Sequence, residues 1–141
     1  MRRYLVVANE TLLGTPLAEQ VSRRVEESKG DCAVHVVVPA SHGTTTWTEG
    51  QARTAAAARL QEGLASLGEL GMAQISGEVG DPSPVLAVGD ALIAADAPYD
   101  EIVVSTLPLG VSRWLRQDAI HRLQRAHPNL RVTHLVSTPV G

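Results

Sequence analysis

Ser105-Thr106-Leu107-Pro108-Leu109-Gly110-Val111-Ser112-Arg113-Trp114-Leu115-Arg116-Gln117-Asp118 follows the apolar run Glu101 to Val104 and enters a segment with helical periodicity. A strand that feeds a helix through a loop of small residues is a unit of a parallel α/β sheet. The start of such a helix exposes free backbone N–H groups and a positive dipole end, which suit an anion. The loop contains one glycine, Gly110, whereas phosphate-cradling loops carry several, because bare backbone must approach the ligand closely. The stretch therefore decides the fold more firmly than it decides an activity.

Working outward, the same unit recurs. Tyr4 to Ala8 is a continuous β-rich apolar run, as expected of a strand buried on both faces. The loop Asn9 to Thr15 follows, with Thr15 as N-cap and Pro16 at the first helical position. Leu17, Val21 and Val25 then form the inner stripe, with Arg23, Arg24, Glu26 and Glu27 on other faces, and Gly30 closes the helix. Cys32 to Val38 is a second buried strand ended by Pro39. Thr46-Trp47-Thr48-Glu49 matches a capping box for a long helix carrying Ala55, Ala56, Leu60, Leu64 and Leu67. Ala73 to Val79 alternates polar and apolar residues, the pattern of a sheet edge. Gly80-Asp81-Pro82-Ser83-Pro84 turns into a helix with Val85, Val88, Leu92 and Ile93 on its stripe, ending near Ala97-Pro98. Ser112 caps the last helix, and Val132 to Val136 is the final strand.

The order β-α-β-α-β-α-β-α-β predicts one domain over residues 1–141, an open five-stranded parallel sheet with helices on both faces and right-handed crossovers. Ligands of such sheets bind at the carboxyl ends of the strands, where strand order reverses. With strand 1 central between strands 2 and 4, three loops converge: Asn9 to Thr15, Pro39 to Trp47 and Ser105 to Asp118.

Composition narrows the function. Lys+Arg 12 against Asp+Glu 15 gives a net charge of −3, which calls for neither nucleic acid nor an anionic membrane, so any anion site is local. Cys32 is the only cysteine and fits a reducing, cytoplasmic setting. The first apolar run stops at Asn9 and Glu10, too short for a signal segment, and no later run is long enough to span a bilayer. Lys29 is the only lysine and sits at a helix end. A glycine-rich dinucleotide loop after strand 1 is absent, since Ala8-Asn9-Glu10-Thr11-Leu12-Leu13-Gly14 stands there. A receiver domain would need a lysine late in the sheet.

Gly110-Val111-Ser112-Arg113-Trp114 has the strand-turn-helix setting of a nucleophile elbow, but Trp114 replaces its second glycine, and Asp118 and His121 share the helix of Ser112. Ser112 therefore reads as an N-cap, and no catalytic constellation is found. His35, His42, His121, His127 and His134 are too scattered for a metal site. On the last helix Leu115, Ala119, Ile120, Leu123 and Ala126 form the buried stripe. Trp114 on the polar arc and Arg116 on the apolar one are either an overhanging first turn or a ligand or partner contact.

Val6 to Thr11, Val34-His35-Val36-Val37-Val38, Gly77-Glu78-Val79-Gly80-Asp81-Pro82, Asp100-Glu101-Ile102-Val103-Val104 and Leu109 to Leu115 together resemble the universal stress protein family. The resemblance spans nearly the whole chain. It implies a Rossmann-like, adenine-nucleotide hydrolase-like three-layer sandwich with strand order 3-2-1-4-5, usually a homodimer through the last strand. ATP-binding members carry Gly-x2-Gly-x9-Gly-(Ser/Thr) over the fourth strand's end and the following helix. On this chain Ser105 stands at the first glycine, Pro108 at the second, and Gln117-Asp118 at the final pair. Proline lacks the N–H donor, and Asp118 puts a carboxylate where a hydroxyl meets phosphate. The family's acidic residue after strand 1 is matched by the neutral Asn9. The resemblance thus implies a stress-response domain that acts through homodimerisation and protein contacts without ATP. The alternative is a nucleotide or small anion held by Asn9, Thr11, backbone near Val38, Ser105, Thr106, Gly110, Ser112 and Arg113.

Overall fold

The computed structural model describes residues 1–40, 48–106 and 117–136. Its elements are β1 (Arg2–Val7), α1 (Thr15–Glu27), β2 (Cys32–Pro39), α2 (Glu49–Gly68), β3 (Gln74–Gly80), α3 (Pro84–Ala94), β4 (Glu101–Thr106), α4 (Gln117–Ala126) and β5 (Arg131–Val136). The five strands form one parallel sheet in the order β3-β2-β1-β4-β5, as the sequence predicts. β1 is central because its last four residues are buried on both faces, and β4 is buried throughout.

Residue parity divides the sheet between two cores. Tyr4, Val6, Val34, Val36 and Val103 pack against Leu17, Val21 and Val25 of α1 and Ala56, Leu60 and Leu67 of α2. Leu5, Val7, Val37, Ile102 and Val104 pack against Ala87, Val88 and Ala91 of α3 and Ile120 and Leu123 of α4. β3 and β5 are the edges, and most of their residues are only partly buried or exposed.

Several local expectations are corrected. The N-cap of α1 is Gly14, without a side-chain cap, and Thr15 is already helical. The capping box of α2 falls two residues later than expected. Thr48 Oγ1 accepts from the Gln51 N–H at 3.2 Å, and Gln51 Oε1 accepts from the Thr48 N–H at 2.8 Å. On α3 the inner stripe is Pro84, Ala87, Val88 and Ala91, while Ile93 is 86% exposed. Val85 and Leu92 are partly buried against the same core, whereas Ile93 lies five residues beyond Val88 and so about 140° round the helix from it. Ala126 is exposed rather than buried on α4. The predicted Ser112 cap, Trp114 and Arg116 lie outside the described residues.

Gly77 sets how closely α2 approaches the edge. A Cβ there would lie 2.6 Å from Leu60 Cδ1 and 2.9 Å from the Val36 carbonyl oxygen. The leucine can rotate, but the backbone oxygen cannot. Gly77→Ala is expected to destabilise the protein by about 1–3 kcal/mol, read as a lower urea midpoint with unchanged slope.

Glu101 is the one acid in the buried strands. Arg24 Nε donates to Glu101 Oε1 at 2.9 Å and Arg24 Nη2 to Oε2 at 2.8 Å, while Thr133 Oγ1 also donates to Oε2. Arg24 is thus turned inward, correcting its expected outer position. Burial pushes the Glu101 carboxyl up, but the hydrogen bonds from Arg24 and Thr133 and the Arg24 charge outweigh it, leaving the group below the ordinary carboxylate value. This contribution is present above the unfolded carboxyl pKa and is lost as pH falls through the native one. Arg24→Met alone is expected to cost about 3 kcal/mol, because it strands a buried charge, whereas Arg24→Met with Glu101→Leu should recover most of the loss. Denaturant unfolding of the single and double variants checks the difference.

Candidate functional site

The carboxyl ends of β1, β2 and β4 bring together part of the predicted set. Asn9 follows β1 directly, and a turn brings the Leu12 N–H to the Asn9 carbonyl at 3.1 Å and the Gly14 N–H to that of Thr11 at 3.0 Å. The turn buries Leu12 against α2, where Gly63 leaves the room: a Cβ on Gly63 would lie 2.5 Å from Leu12 Cδ2. The β1–α1 loop is therefore pinned down over the strand ends rather than free to wrap a ligand.

Its polar side chains point inward. Asn9 is 5% exposed, Thr11 4%, Ser105 fully buried and Thr106 3%. Asn9 Nδ2 donates to the Pro39 carbonyl at 2.8 Å, joining the ends of β1 and β2. Asn9 Oδ1 accepts from a guanidinium nitrogen of Arg59 on α2. Both ends of the amide are thus engaged. Thr11 Oγ1 and Ser105 Oγ share a hydrogen bond of 2.6 Å, joining the first loop to the end of β4.

Thr106 belongs to the opposite side of β4. Its hydroxyl shares a 2.8 Å hydrogen bond with His134 Nε2 of β5. Successive strand residues alternate between faces, so Ser105 and Thr106 cannot serve one face together. Val38 is fully buried, with its side chain in the α1–α2 core, opposite Val79 of β3. Gly110, Ser112 and Arg113 lie outside the described residues, as do the motif position Pro108 and most of the loop from Pro39 to Trp47.

Sequence reading missed Arg59. The signal available is its spacing: it lies three residues after Ala56 and next to Leu60, at the margin of the buried stripe of α2, where an arginine can reach over the strand ends. A second polar group, also missed, lies on the other face of the sheet. His35 Nδ1 and Ser76 Oγ are 2.8 Å apart, and His35 Nε2 is 3.5 Å from Glu78 Oε2. The latter distance exceeds ordinary hydrogen-bond length, so Ser76 is the hydrogen-bond partner of the ring and the row is not a proton relay.

No protein-family model matches the chain, and no curated protein matches it. Solved structures do. A universal stress protein family member from Burkholderia pseudomallei aligns with a TM-score of 0.59 and 14% identity, over 94% of each chain. The universal stress protein from Archaeoglobus fulgidus aligns with a TM-score of 0.60 and 16% identity, over 95% of this chain and 93% of that one. The protein is therefore an open-sheet, Rossmann-like α/β protein. Its particular arrangement is the fold of the universal stress proteins, as the sequence motifs suggested.

Partial burial of the His134 ring lowers its pKa from the ordinary 6.5. The folded state thus holds the ring neutral where the unfolded chain takes up a proton. Stability is unaffected above the unfolded pKa and falls as pH drops below it. His134→Gln is expected to flatten the change in urea midpoint between about pH 7.5 and about pH 5.5 relative to the parent protein.

Proposed function

We propose that this chain is a universal-stress-protein-like domain that acts in a cytoplasmic stress response through self-association and protein contacts, without binding ATP. The observation that carries the reading is the state of Asn9. It stands where ATP-binding members place an acid, and its amide is tied to Pro39 on one side and Arg59 on the other. Thr11 and Ser105 are likewise bonded to each other. A nucleotide at this place would have to displace these bonds and regain their energy, while the loop sequence lacks three of the glycine positions that bring backbone donors to phosphates.

Arg59 favours a second reading, a small anion or divergent nucleotide in the same crevice, because its guanidinium reaches the ends of β1 and β2 and is fit for phosphate or carboxylate. Isothermal titration of the purified protein with ATP and cyclic nucleotides, with mass analysis of co-purifying molecules, separates the two. No saturable heat with ATP is expected; micromolar ATP binding overturns the first reading, and Arg59→Ala should abolish any binding that belongs to the second.

Self-association is assigned to the edge of β5, the last strand, where Val136 is 58% exposed. Among the described residues this edge has no neighbouring strand, so it offers a row of backbone donors and acceptors to a second copy. Sedimentation equilibrium should show a dimer, and Val136→Asp, which puts a charge on the exposed end of this strand, should shift it toward monomer. A monomeric parent protein would sink the dimer assignment and leave the ATP question untouched.

A further inference from the structure

A cleft of about 430 Å³ opens at the amino ends of the strands, between the last turns of α1 and the β4–β5 side of the sheet. It lies at the opposite end of the strands from the crevice around Asn9, about 20 Å away for strands of six residues. Four arginines border it, Arg2, Arg23, Arg24 and Arg131, against two carboxylates, Glu27 and Glu101. Arg24 and Glu101 are spent on each other through their bidentate pair. Three guanidiniums and one carboxylate remain. Among the described residues none of Arg2, Arg23 and Arg131 has an acidic partner within ion-pair distance.

This is a local excess of positive charge in a chain of net charge −3. A surface laid out for solubility alone intersperses the two signs, and a concave wall concentrates the field of one sign. The helix end that borders the cleft is a carboxyl end, whose partial negative charge of about half a unit opposes an anion but is smaller than the excess of guanidinium charge. Ser28 Oγ donates to the carbonyls of Arg24 and Val25 at 2.9 and 3.1 Å. The floor is firm, because Tyr4 and Glu101 are 5% and 7% exposed. The volume suits a small molecule, and guanidinium forks match phosphate oxygens in pairs.

We infer that this cleft is a binding site for a small anion bearing two or more phosphate groups, held by Arg2, Arg23 and Arg131 and separate from the crevice at the carboxyl ends of the strands. The Arg24–Glu101 pair is the scaffold under it and makes no contact with the ligand. Such a site reads charge and phosphate spacing rather than a base, so inorganic pyrophosphate is a sufficient probe.

The test is isothermal titration of the full chain with pyrophosphate at about 50 mM salt, repeated at higher salt, where binding should weaken. Arg2→Ala with Arg23→Ala is expected to weaken binding about tenfold or more, since both side chains are exposed and each supplies charge-assisted hydrogen bonds. Arg122→Ala with Arg125→Ala makes the same charge change on the exposed face of α4 and should leave binding unchanged. Equal weakening by the two pairs would mean general charge attraction and overturn the proposal. Loss of binding in Arg59→Ala alone would place the anion in the crevice and overturn it too, as would no saturable binding up to about 5 mM pyrophosphate. Circular dichroism of each variant confirms that the fold is intact, and none of these side chains is in either core.

Discussion

Burial of β1, β2 and β4 on both faces is the constraint from which the rest of the structure follows. A parallel strand with helices above and below has no solvent side on which to place a polar residue, so its sequence must be apolar at both parities. Tyr4 to Val7, Val34 to Val38 with one interruption, and Ile102 to Val104 obey that rule. Polar groups are then confined to strand ends, and any that enter must bring a partner. His35, the interruption in β2, survives because it faces the partly covered edge beside β3 and bonds Ser76 there.

The same constraint explains both ends of the sheet. At the amino end Glu101 enters a buried strand and is answered by a guanidinium from α1 and a hydroxyl from β5. At the carboxyl end the polar residues answer one another: Asn9 reaches Pro39 and Arg59, and Thr11 reaches Ser105. These bonds do structural work, joining neighbouring strands where the backbone ladder runs out. A residue type that suggests ligand binding is therefore equally what a strand end needs to close itself. In the crevice these side chains are already engaged in closing the strand ends.

The fold was legible because its signals are redundant. The central strands are β-branched runs, the helices carry stripes and terminal signals, and the alternation of the two leaves one class of topology. Local details were less so. Ile93 reads as inward beside Leu92, but its spacing of five from Val88 takes it off the stripe. Arg24 looked outward because its partner, Glu101, is distant in the chain and joins it only through the sheet. The position of the crevice could be read from strand order, but the use of its residues could not. Asn9 and Thr11 are identified by sequence as polar residues in a loop, whereas their commitment depends on Leu12 finding the space left by Gly63 and on Arg59 reaching across from α2.

Low identity to the solved neighbours, 14% and 16%, coexists with alignment over more than nine-tenths of each chain. The two facts have one cause. Any β-branched residue serves a doubly buried strand almost as well as another, so the sheet can be preserved while its sequence drifts. A phosphate loop has no such latitude, since a glycine that admits a ligand's oxygen is replaced only at the cost of that contact. At the end of β4 in this chain stands not a glycine but Ser105, whose hydroxyl is bonded to Thr11. Persistence of the frame is thus no argument for persistence of the ligand. What a chain of this fold binds must be decided from the groups that remain uncommitted, and here the described guanidiniums without acidic partners that border a cleft lie at the amino ends of the strands.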